Sequence, residues 1–272
     1  MRELRFERLR PAEIVAEMRQ RPLIFLPVGP LEWHGPHLPL GTDPMIAHGV
    51  ALRVAARVGG VVLPAFFCGT ERERSPELLR NLGFKGDEWI VGMDFPANIL
   101  RSLYYREEFL GILLRETLDL LVQQGYRLIV VLNGHGATNQ LATVGRLSAE
   151  FTARGPARVI TVSAWEKAGQ GLSDPGHAGG DETSQMMALY PESVDLSALP
   201  PLAEPLYNVR WAIVDAPTFS GQPTADFTTR DDPRVGASVE RGEESLQQST
   251  AYIAAKVAAV LTEMGYSPRE GL

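Results

Sequence analysis

The length, composition and charge of this chain exclude several classes of protein. It has 272 residues, 44% of them hydrophobic and 22% charged, and its net charge of −7 is unlike that of a nucleic-acid-binding domain. Cys68 is the single cysteine, which excludes an intrachain disulfide and a cysteine-based zinc site. The amino terminus has no apolar signal segment and no run is long enough to span a membrane, so we expect a cytoplasmic protein.

Apolar runs typical of buried strands alternate with helical patterns along the chain. In chain order, strands are predicted at residues 23–28, 61–67, 128–132, 159–163 and, more weakly, 212–214, with helices at 44–57, 104–124, 139–154 and 244–264. This alternation predicts an α/β fold of three layers, α/β/α, with a mostly parallel central sheet. One domain over residues 1–272 is the simplest arrangement, and two domains are the alternative. The charged segment 71–94 interrupts the alternation and fits a lid, an oligomer contact or a solvated excursion.

Side chains that bind metals follow the first predicted strand. Glu32 and His34 lie two residues apart, so in an extended chain both point to the same side. Asp43 follows shortly afterwards, but on its own it is equally well explained as the N-cap of the helix that Pro44 begins. His37 either braces this loop or hydrogen-bonds a ligand.

Similar side chains follow the later strands. His135 lies between two glycines after the strand at 128–132, and Trp165 and Glu166 follow the strand at 159–163. Because ligands bind beyond the carboxyl ends of parallel strands, we expect these residues at one edge of the sheet. Trp165 is a candidate for lining a substrate pocket, with packing in the core as the alternative.

A glycine-rich stretch supplies one more histidine and two carboxylates. His177 lies in a loop that leads into a helix, where Asp181 fits the N-cap and Glu182 fits the first turn. Of the five histidines, four therefore lie in loops rich in glycine and proline. Histidine combined with Asp and Glu suits zinc, manganese or ferrous iron, and a bridging carboxylate allows two ions. Two such ions activate a water and polarise a carbonyl, which predicts hydrolysis.

Three motifs, in this order, resemble those of the creatininase (creatinine amidohydrolase) family. The first is EWHGPHLP at residues 32–39 with TD at 42–43, the second is NGHG at 133–136 with Asn139, and the third is HAG at 177–179 followed by ETS at 182–184. The resemblance implies a layered α/β/α domain, two divalent metal ions (zinc, manganese or iron) and hydrolysis of carbon–nitrogen bonds. It also implies a homo-oligomer, a hexamer by analogy.

The resemblance further implies roles for single residues. The implied metal ligands are Glu32, His34, Asp43 and His135. Asp43 is the implied bridge and His177 the implied proton-transfer residue. Creatininase has a ligand carboxylate two residues after the histidine of the second motif, where this chain has Ala137. This difference argues against creatinine as the substrate. The resemblance to other members, which have a glycine-rich second motif and draw the last ligand from the third, implies Glu182 as that ligand here.

In the expected reaction, a water activated by the two ions attacks the carbonyl of a small-molecule amide or cyclic amide, and His177 protonates the leaving nitrogen. Two alternatives remain open at this point. One is a metal-dependent hydrolase that opens a cyclic keto-polyol such as a keto-inositol, for which the polar segment 71–94 is suited. The other is a flavodoxin-like binding module without catalysis. None of these readings requires a nucleic acid or a membrane as partner.

Overall fold

The computed structural model describes residues 2–89, 91–168, 176–209, 212–223 and 232–267, so part of the loop before His177 lies outside the described residues. Its helices are α1 (Pro11–Gln20), α2 (Thr42–Val58), α3 (Pro76–Asn81), α4 (Glu107–Gln124), α5 (Thr138–Arg154), α6 (Gly180–Leu189), α7 (Pro233–Gly236) and α8 (Val239–Glu263). Its strands are β1 (Leu23–Gly29), β2 (Val61–Val62), β3 (Phe66–Phe67), β4 (Leu128–Asn133), β5 (Arg158–Ser163), β6 (Leu206–Val209) and β7 (Ala212–Asp215). Among these helices, none combines the length and the apolar composition that crossing a membrane requires.

Strand β1 lies inside a parallel sheet of five strands. One edge of β1 pairs with β4, which in turn pairs with β5, while β2 and β3 share the opposite edge of β1. In register, Val28 of β1 lies beside Asn133 of β4, which lies beside Ser163 of β5. The carboxyl ends of these three strands therefore lie side by side. Strands β6 and β7 form a separate antiparallel pair.

Helices cover both faces of the sheet, which explains why its central strands are apolar without interruption. On one face, Leu23 and Phe25 of β1 pack in a buried cluster with residues of α2 and α8. On the other face, Ile24 and Leu26 pack in a cluster with residues of α4 and α5. All seven residues of β1 are buried. The prediction of three layers with a mostly parallel sheet is confirmed.

Several predicted boundaries differ from the observed ones. The single strand predicted at 61–67 is wrong: the chain forms two short strands, β2 and β3, and Pro64 between them has no N–H to continue a ladder. The helix predicted from residue 244 begins at Val239, because the side chain of Ser238 accepts a hydrogen bond from the N–H of Arg241 at 3.1 Å and caps it.

The charged segment 71–94 is buried in part, while many of its charged side chains stay exposed. It contains α3, and its apolar side chains form a third cluster with Trp33 and with Val214 of β7; that cluster includes Leu78, Leu79, Leu82, Phe84, Val91 and Phe95. Glu71 and Asp94, at the two ends of the segment, are each 3% exposed. The interpretation of this segment as a solvated excursion therefore holds for only part of it, since it also carries a small core of its own against the loop that follows β1.

Candidate metal centre

The register of the sheet brings two of the histidine-bearing loops together. The loop after β1 carries Glu32 and His34, and the loop after β4 carries His135. Gly134, the first residue beyond β4, donates its N–H to the carbonyl of Val28 at 2.9 Å, so both loops leave the sheet at the same point. The expectation that these side chains gather at one edge is met for these three residues.

Gly134 also allows α2 to approach this edge closely. A Cβ at position 134 would lie 2.2 Å from the carbonyl oxygen of Asp43, a distance that no side chain tolerates. Glycine therefore lets the first turn of α2 pack directly on the exit of β4. The consequence is that Asp43 faces His135.

The carboxylate of Asp43 lies between two imidazoles. Its Oδ1 is 3.0 Å from Nε2 of His34, and its Oδ2 is 2.9 Å from Nδ1 of His135. The alternative role as N-cap is wrong, because the N-cap of α2 is Gly41 and Asp43 lies inside the first turn. At 3% exposure, Asp43 presents both oxygens to buried side chains and not to solvent.

Glu32 is the second buried carboxylate at this edge, with 1% exposure. Its Oε2 lies 3.2 Å from Nδ1 of His135 and 3.8 Å from Nε2 of His34. Its Oε1 accepts a hydrogen bond of 2.6 Å from the hydroxyl of Tyr104. Oε2 of Glu32 thus faces the histidines, and Oε1 is occupied by the hydrogen bond from Tyr104.

Glu182 joins the group from the first turn of α6. Its Oε2 lies 3.9 Å from Nε2 of His34 and accepts the N–H of Ala178 at 2.5 Å. Ala178 adopts a φ of 55°, and a non-glycine residue in this region costs about 1–3 kcal/mol. Asp181, the neighbouring carboxylate, is not the N-cap: that position is Gly179, and Asp181 accepts from Nε2 of Gln185 at 3.0 Å instead.

His177 completes the cluster from the loop before α6. Its Nε2 donates to the carbonyl of Trp33 at 2.6 Å, which leaves Nδ1 directed at Oε2 of Glu32 over 3.8 Å. Its ring lies 4.2 Å from the ring of His34, centroid to centroid. His177 is 7% exposed.

The electrostatics of the cluster show that Asp43 and Glu32 favour positive charge on the two histidines beside them. Burial alone would lower the pKa of His34, but the charge and the hydrogen bond of Asp43 outweigh it and raise that pKa to about 10. Burial also opposes the charged form of His135, yet Glu32 and Asp43 raise its pKa well above the ordinary value. Protons on these imidazoles therefore occupy the place that cations would take.

The pKa values of Glu182 and His177 are shifted in the direction of the neutral form. Burial raises the pKa of Glu182 to about 8, against the opposing effect of the charge on His34. Burial, reinforced by the nearby charge of His34, lowers the pKa of His177 to about 4. Both groups are thus neutral near pH 7 while the histidines beside Asp43 carry protons.

The donor atoms fall into sets that fit divalent ions. In each set, the donor atoms lie within 4.8 Å of one another, and the sets are Glu32–Asp43–His135, His34–Asp43–Glu182 and Glu32–His34–His177. The first two sets share Asp43 and include every residue for which the sequence predicted a ligand role. Nitrogen and carboxylate donors without sulfur fit zinc, manganese or iron. The residues therefore fit a pair of such ions.

Other predicted residues lie apart from this cluster. Trp165 is half-buried in the turn after β5, and its Nε1 is buried without a hydrogen-bond partner among the described residues. Glu166 accepts the N–H of Ser163 at 2.9 Å and pairs with Lys256 at 2.6 Å, so it does not join the metal-competent groups. His37 belongs to none of the donor sets, and its Nε2 lies 3.0 Å from the hydroxyl of Thr183.

Two residues next to the cluster were missed by the sequence analysis, Tyr104 and Glu71. Tyr104 donates to Glu32, and Oε2 of Glu71 lies 3.7 Å from Nε2 of His135. Neither belongs to a recognisable motif: Glu71 begins the charged segment 71–94, and Tyr104 begins the helix predicted at 104–124, which instead starts at Glu107. The one available signal was the concentration of carboxylates at 71–94 in a chain that needs several for a metal site.

Comparison with known proteins identifies the family of this chain. The profile "Creatininase: Creatinine amidohydrolase" matches residues 7–257. The creatinine amidohydrolase of Pseudomonas putida is 28% identical over 210 residues, which cover 69% of this chain and 73% of that protein. A mycofactocin precursor peptide peptidase of Mycobacterium tuberculosis is 33% identical over 184 residues, covering 64% of this chain and 61% of that protein.

Solved creatininases share the fold described above. The structure "Creatininase Mn" matches with a TM-score of 0.65 at 24% identity, covering 95% of this chain and 98% of the other. A mutant creatininase described as "Zn-Zn type" matches with a TM-score of 0.64 and the same coverage. The flavodoxin-like binding module is excluded by these findings. This chain belongs to the creatininase family, whose named relatives are hydrolases that act on carbon–nitrogen bonds.

Proposed function

We propose that this protein is a two-metal amidohydrolase that cleaves the carbon–nitrogen bond of an amide other than creatinine. One ion would be held by Glu32, Asp43 and His135, and the other by His34, Asp43 and Glu182. Manganese and zinc are named for solved creatininases of the same fold, and ferrous iron accepts the same donors.

The observation that carries this proposal is the division of the Asp43 carboxylate. Each of its oxygens lies at about hydrogen-bond distance from a different imidazole, 3.0 Å for His34 and 2.9 Å for His135. A carboxylate with one oxygen directed at each of two donor sets is suited to bridge two cations.

Divalent ions bound at these residues would lower the pKa of a water and polarise the scissile carbonyl. The chain itself supplies the proton transfer. The hydrogen bond from Nε2 of His177 to the carbonyl of Trp33 fixes the ring and leaves Nδ1 open towards the ligands. Because the pKa of His177 is lowered to about 4, Nδ1 is unprotonated at pH 7 and can accept a proton and pass it to the leaving nitrogen.

One sequence difference from creatininase and one related peptidase indicate the substrate class. Creatininase has a ligand carboxylate at the position of Ala137, which cannot bind a metal, so we propose a substrate other than creatinine. The 33% identical relative in Mycobacterium tuberculosis is named as a peptidase. An amide within a small molecule or peptide is therefore the substrate class that we propose. Trp165, half-buried just beyond β5, is the residue that we propose to line its binding pocket.

We further propose that residues 1–272 form one domain. This is supported by the fact that all the ligand candidates come from loops and helix ends at one edge of the parallel sheet. A homo-oligomer is proposed from the family resemblance, and several exposed apolar side chains would be available for contacts, among them Ile99, Leu100, Phe109 and Ile112.

The proposal is tested by metal analysis together with a substrate panel. Purified protein should carry up to two divalent ions per chain and should hydrolyse at least one member of a panel of lactams, formamides and short peptides. Keto-inositols belong in the same panel, since turnover of these alone would favour the keto-polyol alternative. Protein that takes up neither manganese nor zinc when both are supplied would overturn the proposal.

A further inference from the structure

In the donor set Glu32–Asp43–His135, only Asp43 is shared with the second set. The other two ligands, Glu32 and His135, each contact a side chain that comes from residues 70–105 and is not itself a proposed ligand. For Glu32, the contact is the 2.6 Å hydrogen bond from the hydroxyl of Tyr104 to Oε1. For His135, it is Oε2 of Glu71, which lies 3.7 Å from Nε2. Asp43, the shared ligand, has no part in this arrangement.

The other donor set is held by the main chain. Nδ1 of His34 donates to the carbonyl of Glu32 at 3.0 Å, and Oε2 of Glu182 accepts the N–H of Ala178 at 2.5 Å. These contacts come from the loops that carry the ligands themselves. The two proposed metal positions therefore differ in what orients their ligands.

The hydroxyl of Tyr104 is itself oriented. It accepts the N–H of Met93 at 3.2 Å, so its proton is directed at Glu32. A Cβ at Gly92, where φ is 51°, would lie 2.3 Å from the ring of Tyr104, so glycine at this position lets the backbone close over the phenol. With Oε1 occupied in this way, Oε2 is the oxygen that Glu32 offers to the histidines and to an ion.

His135 has a corresponding arrangement. Its Nδ1 faces Asp43 and Glu32, whereas its Nε2 is buried and has no hydrogen-bond partner among the described residues. If Nδ1 binds an ion, Nε2 must carry the proton, and the carboxylate of Glu71 is the negative group that faces it, at 3.7 Å. A carboxylate behind a histidine ligand fixes the ring and strengthens its donor nitrogen.

We propose that Tyr104 and Glu71 are positioning residues that set the affinity of the metal position formed by Glu32, Asp43 and His135, and that the position formed by His34, Asp43 and Glu182 does not depend on them. This inference rests on the proposed two-metal function. Side chains from residues 70–105 would thus control the binding affinity of one of the two ions.

The test is a titration of metal-stripped protein with Co²⁺, followed by calorimetry and by the visible absorption of the bound ion. In Tyr104→Phe, one of two equivalents should bind roughly 10–100-fold more weakly, the range found when residues behind a ligand are changed. The other equivalent should bind as in the wild type. Tyr105→Phe, which changes the exposed neighbouring ring, is the matched control.

Variants at Glu71 separate positioning from packing. Glu71→Ala should weaken the same equivalent as Tyr104→Phe, whereas Glu71→Gln, which keeps an acceptor for Nε2, should restore much of the loss. Glu71 also accepts the N–H of Arg72 at 2.6 Å and lies 3.7 Å from the buried guanidinium of Arg74, so Glu71→Ala should lower the thermal midpoint of the metal-free protein. The midpoint of metal-free Tyr104→Phe, which keeps the ring, should stay close to that of the wild type.

The outcomes distinguish the inference from the function on which it rests. Two equivalents in the wild type that bind with unchanged affinity in Tyr104→Phe and Glu71→Ala would overturn the inference and leave the two-metal function standing. Equal weakening of both equivalents would also overturn it. Fewer than two equivalents in the wild type would overturn the proposed function itself, and the inference with it.

Discussion

The imidazole of His177 is tied to the main chain at Trp33, the residue between the two ligands Glu32 and His34. The hydrogen bond of 2.6 Å from Nε2 to this carbonyl fixes which nitrogen faces the site. Proton transfer at Nδ1 therefore depends on the same loop that supplies two of the metal-binding side chains.

Removal of this imidazole should impair turnover but not metal content. We expect His177→Ala to lower kcat roughly 10²–10⁴-fold, the usual contribution of a general acid or base, while metal per chain stays at the wild-type value. The measurement is kcat on an active substrate of the panel, with elemental analysis of the same sample. His48→Gln is the control, because His48 is a half-buried residue of α2 that belongs to none of the donor sets. Loss of both ions in His177→Ala would instead make this histidine a ligand.

Glu182 and Asp181 form a natural pair of test positions, because they are adjacent carboxylates in one helical turn. Glu182 lies 3.9 Å from His34, whereas Asp181 accepts from Gln185. Glu182→Gln should lose metal as well as activity, and Asp181→Asn should retain both. Metal content after gel filtration measures the difference, and a Glu182→Gln protein with two ions would show that this residue is not a ligand.

The glycine after β4 should tolerate no side chain. In Gly134→Ala, the new Cβ would lie 2.2 Å from the carbonyl of Asp43, so α2 would have to move away from His135. We expect a loss of stability of about 1–3 kcal/mol, typical of overpacking, together with weaker metal binding. Urea unfolding of the metal-free protein separates the two effects. Gly145→Ala in α5, where a Cβ meets nothing within 4 Å, is the control and should be at least as stable as the wild type, because alanine favours a helix by up to about 1 kcal/mol over glycine.

His37 predicts a loss of stability in acid. Burial, with the nearby charge of His34, lowers its pKa from 6.5 to about 3 in the folded state. Between these values the unfolded chain binds more protons than the folded one, so stability should fall as the pH drops below 6.5, by at most about 1.4 kcal/mol per pH unit from this residue. Urea midpoints at pH 7 and pH 5 of metal-free protein measure this. The fall should be smaller in His37→Gln, and an identical fall in both proteins would contradict the assignment.

Removal of metal should lower the thermal midpoint and reloading should restore it. Binding to the folded state alone stabilises by about 2.7 kcal/mol when the free metal is at one hundred times its dissociation constant. Differential scanning calorimetry before and after chelation, and again after addition of Mn²⁺ or Zn²⁺, tests this. A midpoint that is unaffected by chelator and by added ions would argue against tight sites in the folded protein.

The sequence was sufficient to predict the sheet and the ligand-bearing loops, because both depend on local patterns. Continuous apolar runs such as that at 128–132, short and rich in β-branched residues, are typical of buried strands, and the motifs containing His34 and His135 follow two of them. The strand order, which places β1 beside β4 and which the sequence did not predict, then brings these motifs together. The two short strands at 61–67 were missed because a single proline decides between one strand and two.

The surroundings of the ligands could not be predicted in the same way. Tyr104 reaches Glu32 across 72 positions of sequence, and the contact exists only because the region from 71 to 105 folds over the site. Asp43 has the local signature of a helix cap, and only the approach of His135 shows its other role. Charge along 71–94 indicated exposure, but its apolar residues Leu79 and Phe84 are buried in the cluster that contains Trp33.

The position of Trp33 in the third apolar cluster has a consequence for how this protein family can diversify. The ring lies among residues of the 71–94 region and near the β6–β7 pair, while the flanking carboxylate and imidazole face the other way. Replacement of that region by one of different length or shape would change the surroundings of the site. If the new region still packed against the Trp33 ring, Glu32 and His34 would keep their positions. New substrates could then arise by replacement of one packed segment, with the hydrolytic machinery inherited unchanged.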